Sequence, residues 1–67
     1  MPKYQTGDLL KCTSEDWTVN EHHLILKVVD ECYHFYVLEK GYDEYERIDY
    51  VDDSCDKNYT YVWTKVS

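Results

Sequence analysis

Three histidines, three cysteines and a scatter of aspartates are the side chains of this chain that could hold a metal or attack a substrate. His22-His23, with His34 further on, invites a metal centre. Adjacent residues of a strand point to opposite faces, so His22 and His23 cannot grip one ion without distorting the backbone. A zinc set drawn from His23, His34 and a cysteine would need a coincidence of register. Cys12, Cys32 and Cys55 stand 20 and 23 residues apart with no CxxC spacing, so they form neither a zinc framework nor a complete disulfide set. Asp49, Asp52, Asp53 and Asp56 lack the alternating oxygen ligands and turn glycine of a calcium loop, and read instead as a solvated polar turn. No metal and no cofactor is expected. The histidines read as two at the solvent edge of a strand start and one in a hairpin.

Nucleophilic catalysis finds no better support. A Cys–His–Asp triad can be drawn on paper, but no motif orders the three. With only Gly7 and Gly41, the chain has neither a glycine-rich turn for an oxyanion hole nor a phosphate-cradling loop. The expectation is a protein without catalytic residues. Contact with another protein is the chemistry these residue types do favour. Trp17, Tyr36, Tyr42, Tyr45 and Tyr61 are the candidate protein-binding residues. A tryptophan in a long loop, near tyrosines and carboxylates, suits a basic or proline-rich peptide. The competing role is packing: Trp17 folded back to plug one end of the core, and tyrosines enlarging a core too small for Leu and Val alone.

Size favours the packing role. The chain has 67 residues and reads as one domain, 1–67. A mass of 8.1 kDa implies that only about 62% of the unfolded surface is buried, enough for one thin core. Fourteen acidic against seven basic residues give a net charge of −7. The basic residues are spread from Lys3 to Lys65 without a cluster. Such a surface repels nucleic acid and anionic membrane, so neither is an expected partner. No apolar run approaches the ~20 residues that span a bilayer, and Met1-Pro2-Lys3 leads into polar residues rather than a secretory signal. With an odd cysteine count, this points to a reduced, cytoplasmic setting.

The elements that would position these residues are strands. His22–Asp30 and Tyr33–Glu39 are rich in β-branched and aromatic residues, contain no Gly or Pro, and are separated by Glu31-Cys32, so they predict an antiparallel hairpin. Alternation puts Leu24, Leu26 and Val28 on one face and His23, Ile25, Lys27 and Val29 on the other. Leu26 and Phe35 are expected to meet in the core. Leu9–Cys12 reads as a first strand entered through Gly7, with residues 13–21 as a long excursion. Residues 1–6 read as frayed. Lys40–Glu44 reads as a turn with Gly41 at positive φ. Tyr45–Val51 reads as a fourth strand, Asp52–Asn58 as a polar punctuation with a short 3₁₀ turn, and Tyr59–Val66 as a final strand exposed on one edge.

Five short strands with one long first loop are the signature of a small barrel or sandwich. The order resembles the SH3-like barrel. Gly7-Asp8-Leu9-Leu10, His23–Val28, Tyr36–Glu39, Ile48–Asp52 and Tyr59–Val62 are similar to the pattern of small uncharacterised tailed-phage proteins with such barrels. The resemblance implies an all-β, five-stranded SH3-like fold and a phage origin, and transfers no site residues. The function expected is a non-enzymatic, acidic protein-interaction module, a monomer or weak homodimer that binds a protein partner. The alternative is a polyanion (DNA) mimic that occupies a host nucleic-acid-binding factor.

Overall fold

β-Branched and aromatic residues lie where the backbone pairs. The computed structural model describes residues 2–14, 18–53 and 61–67. In chain order it holds β1 (Leu9–Ser14), β2 (Asn20–Val29), β3 (Cys32–Val37), β4 (Tyr42–Arg47), α1 (Ile48–Asp53) and β5 (Tyr61–Lys65). All neighbouring strands are antiparallel, in the order β4-β3-β2-β1-β5. β1 to β4 follow one another across the sheet, and β5 returns to the far side of β1. The fold is therefore all-β, as expected. Among the described residues β4 and β5 are the two edges, and no pairing closes the sheet.

The β2–β3 hairpin forms, but its turn is Asp30-Glu31 rather than Glu31-Cys32. Both residues lie in the left-handed region, with φ of 51° and 62°. A two-residue loop of this kind matches the twist of the strands it joins, though it suits Asn-Gly better than Asp-Glu. Gly41 takes the expected positive φ, 77°, and donates its N–H to the Val37 carbonyl at 2.8 Å.

Three expectations fail, each for a local reason. Leu26 is 39% exposed, whereas Ile25 is 1% exposed and sits in the core. The register between β2 and β3 shifts between Ile25 and Lys27, so a bulge at Leu26 breaks the simple alternation. His23 and Ile25 face inward before it, and Val28 packs on the core after it. A one-residue slip moves every side chain to the other face. The N-terminal segment helps hold the irregularity: Gly7 N–H bonds the Ile25 carbonyl at 2.8 Å, and Ile25 N–H bonds the Asp8 carbonyl at 2.9 Å. Phe35, at 4% exposure, is core as expected.

The second failure is the fourth strand. It begins three residues earlier than Tyr45, and residues 48–53 are helical rather than extended. Ile48 and Val51, three apart, both pack on the core, which an alternating strand could not achieve. The first turn carries Asp49, whose carboxylate accepts from Tyr50 N–H at 2.9 Å and from Arg47 at 2.7 Å. Ile48 N–H is held by the Glu31 carbonyl at 2.9 Å.

Third, residues 2–6 are tied to the core rather than frayed. Tyr4 is buried, and its ring packs against Tyr33 and Trp63 with centroids 5.8 and 5.6 Å away. Tyr33 Oη accepts the N–H groups of Lys3 and Tyr4 at 2.9 and 3.1 Å and donates to Asp52 at 2.7 Å. Burial and the Asp52 carboxylate push the Tyr33 hydroxyl up to about 12, so it keeps its proton and this clamp. β1 also runs on to Ser14, whose Oγ accepts Val19 N–H at 3.0 Å, which shortens the first excursion. The punctuation at 54–58 and the residues Tyr59-Thr60 lie outside the described residues.

Candidate functional site

Inward-facing positions of β1, β2, β3 and β5 supply the core, and their outer ends leave a cavity of about 280 Å³. Its floor is buried and largely apolar: Cys12, His23, Phe35, Val51 and Trp63. Its walls are of two kinds. Glu21, Glu44 and Glu46 supply carboxylates, and Tyr50 and Tyr61 supply half-exposed rings. Sites for drug-sized ligands run to about 300–1,000 Å³. This groove falls just below that range, a size for one side chain of a partner.

His23 holds the floor in place. Trp63 Nε1–H has no alternative to donating, and it donates to His23 Nδ1 at 2.9 Å. The imidazole proton therefore sits on Nε2, which meets Glu21 Oε1 at 3.0 Å. The ring stacks on Phe35 with centroids 4.5 Å apart. The sequence reading that put His23 at a solvent edge is thus corrected: its 4% exposure belongs to the core. His34 lies in the hairpin as expected, at 9% exposure on the opposite face beneath Tyr45. His22 and His23 do face opposite ways.

Cys12 closes one side of the floor. Burial first, then the Glu21 charge, push its thiol up to about 11. A thiol held protonated at neutral pH is no thiolate nucleophile. Among the described residues no three His, Cys, Asp or Glu side chains converge as a metal set.

The charge in the groove is unevenly compensated. Lys40 Nζ lies 3.5 Å from Glu21 Oε2, and that carboxylate holds the ammonium pKa above its ordinary value. No ion pair joins Glu44 or Glu46 to a described residue. These two face the core side of β4 because they pair with Phe35 and Tyr33.

The candidate binding residues are divided by the sheet. Tyr61 lines the groove. Tyr36 and Tyr45 lie on the opposite face, where Tyr36 pairs with Asp43 and Leu24, and Tyr45 stacks on His34. Tyr42, 43% exposed at the start of β4, is not part of the groove lining. Trp17 lies outside the described residues. Glu44, Glu46 and Tyr50 were missed by sequence reasoning. Beginning the fourth strand at Tyr42 would have put Glu44 and Glu46 on one face; beginning it at Tyr45 hid the pair. No protein-family model, curated protein or solved structure matches the chain.

Proposed function

We propose that this protein is a non-enzymatic interaction module of SH3-like form whose groove takes a basic segment of a partner protein. The observation that carries the reading is the pairing of an aromatic floor with Glu44 and Glu46, two carboxylates without an ion-pair partner among the described residues. An aliphatic stem can lie on Phe35, Val51 and Trp63 while its cationic head meets these carboxylates. The net charge of −7 would steer such a segment toward the surface. The meander of β1 to β4, the short helix and the return of β5 beside β1 support the SH3-like reading. Unpaired thiols at Cys12 and Cys32 support a reducing compartment, the cytoplasm of a phage-infected cell in this reading. Strand edges at β4 and β5, opposed by the net charge, support a monomer or weak homodimer.

Titration of the ¹⁵N-labelled protein with a short Lys/Arg peptide tests this. Amide shifts should concentrate on Glu44, Glu46, Tyr50 and the Trp63 indole, and should weaken at high salt but stay on those residues. The Glu44→Gln/Glu46→Gln double variant should lose them. Shifts spread over Asp30, Glu31 and Asp49, and erased by salt, would replace the groove with mimicry of a polyanion. An unchanged spectrum would remove the reading altogether.

A further inference from the structure

Resting on that reading, we infer that the groove is selective for arginine, and that one guanidinium bridges Glu44 and Glu46. The two residues are alternate positions of one strand face, so their Cα atoms lie about 6.7 Å apart. The two side chains start from that spacing, and Glu46 Oε1 accepts the N–H of its neighbour Arg47 at 3.1 Å, which keeps that carboxylate beside its own strand. An ammonium nitrogen with acceptors at about 2.8 Å can join oxygens no more than about 5.6 Å apart. A guanidinium is wider. Its five N–H groups fan out in a plane, so one edge can reach each carboxylate.

The rings beside the carboxylates favour the same head group. Tyr50 and Tyr61 stand at the walls with 39% and 45% of their surface exposed, and Trp63 lies below. A guanidinium is weakly hydrated and stacks on aromatic faces, whereas an ammonium keeps its water. Lys40 supplies an internal contrast. Its compact ammonium is already in the groove lining, yet it pairs with Glu21 across the groove and not with Glu44 or Glu46.

The probes are n-butylguanidinium, n-butylammonium and n-butylurea, titrated by ¹⁵N NMR into the native chain and into three variants. The guanidinium should shift Glu44, Glu46, Tyr50 and the Trp63 indole. It should bind roughly three- to tenfold more tightly than the ammonium, the gain of one further hydrogen bond to charge in a wet groove. The urea should be silent. Glu44→Gln and Glu46→Gln, each alone, should abolish the preference for guanidinium over ammonium. Asp30→Asn, the same charge change in the β2–β3 turn, should preserve it. Equal binding of the two cations would overturn the arginine assignment and leave the basic-segment groove standing. Loss of the preference in Asp30→Asn would overturn it too, by showing that overall charge was being read. If neither cation shifts the groove residues, the arginine assignment falls, and the Lys/Arg peptide titration separately decides whether the groove reading falls with it.

Discussion

His23 and His34 occupy adjacent strands on opposite faces of the sheet, each between a carboxylate and an aromatic ring. Each meets a carboxylate through Nε2, His23 with Glu21 at 3.0 Å and His34 with Asp43 at 2.6 Å. Each lies nearly flat on a ring, Phe35 at 17° and Tyr45 at 12°. The exposure of the carboxylate, 14% for Glu21 against 52% for Asp43, and the second nitrogen separate them. His23 Nδ1 receives the Trp63 indole N–H, whereas His34 Nδ1 is buried without a partner among the described residues. A buried polar atom costs little when bonded and about 1–3 kcal/mol when it is not. The core-face histidine is therefore a connector of strands, tying β2 to β5 and fixing the indole that floors the groove. The outer-face histidine is a packed ring with an uncompensated cost.

One substitution made at both positions separates the two roles. His→Phe keeps the volume and the stack and deletes both nitrogens. At position 23 it orphans the Trp63 N–H and strips a hydrogen bond from Glu21, which is only 14% exposed. His23→Phe should cost about 2–4 kcal/mol, a large part of the stability of so small a domain. Urea melts measure it, and a loss under about 1 kcal/mol would mean that the Trp63–His23 bond is not made in solution.

The same change at position 34 should move stability by no more than about 1 kcal/mol in either direction. It removes the orphaned Nδ1, and the Asp43 carboxylate it releases is 52% exposed, so water can take the place of the imidazole. If His34→Phe matched His23→Phe in cost, Nδ1 would have a partner in solution and the contrast would collapse.

The all-β class, the central hairpin, the Gly41 turn and the burial of Phe35 were legible because each rests on local chemistry: β propensity, a two-residue gap, a glycine. The rest depends on contacts remote in sequence. Leu26 reads as inward until Gly7 and Asp8 pair with Ile25 beside the bulge. Residues 48–53 carry fewer than two helical turns, too short for a period of three to outweigh a period of two. His23 reads as polar and exposed until Trp63, forty residues on, supplies its partner. Tyr61 could be proposed for the site by residue type. The carboxylate pair could not be seen without the correct start of β4, and a sheet's two faces cannot be told apart when tyrosines line both.

Acid offers the finest test of the two-histidine comparison. The hydrogen bond from His34 holds the Asp43 carboxyl below its ordinary 3.8. Between those two values the folded state binds fewer protons than the unfolded chain, so stability falls as protons are added. The contribution is fully present above the ordinary value and disappears as pH drops through the lower, folded one. Glu39, held down to about 2 by His22 from an ordinary 4.5, adds the same sign over a wider window. His34→Phe removes only the Asp43 part. Its urea midpoint, compared with that of the native chain at neutral pH and again below pH 3.8, should therefore gain ground on acidification. The shift is small because Asp43 is largely in water. Parallel curves across that window would show that Asp43 is not held by His34 in solution, and the outer-face histidine would then lack a partner at both nitrogens.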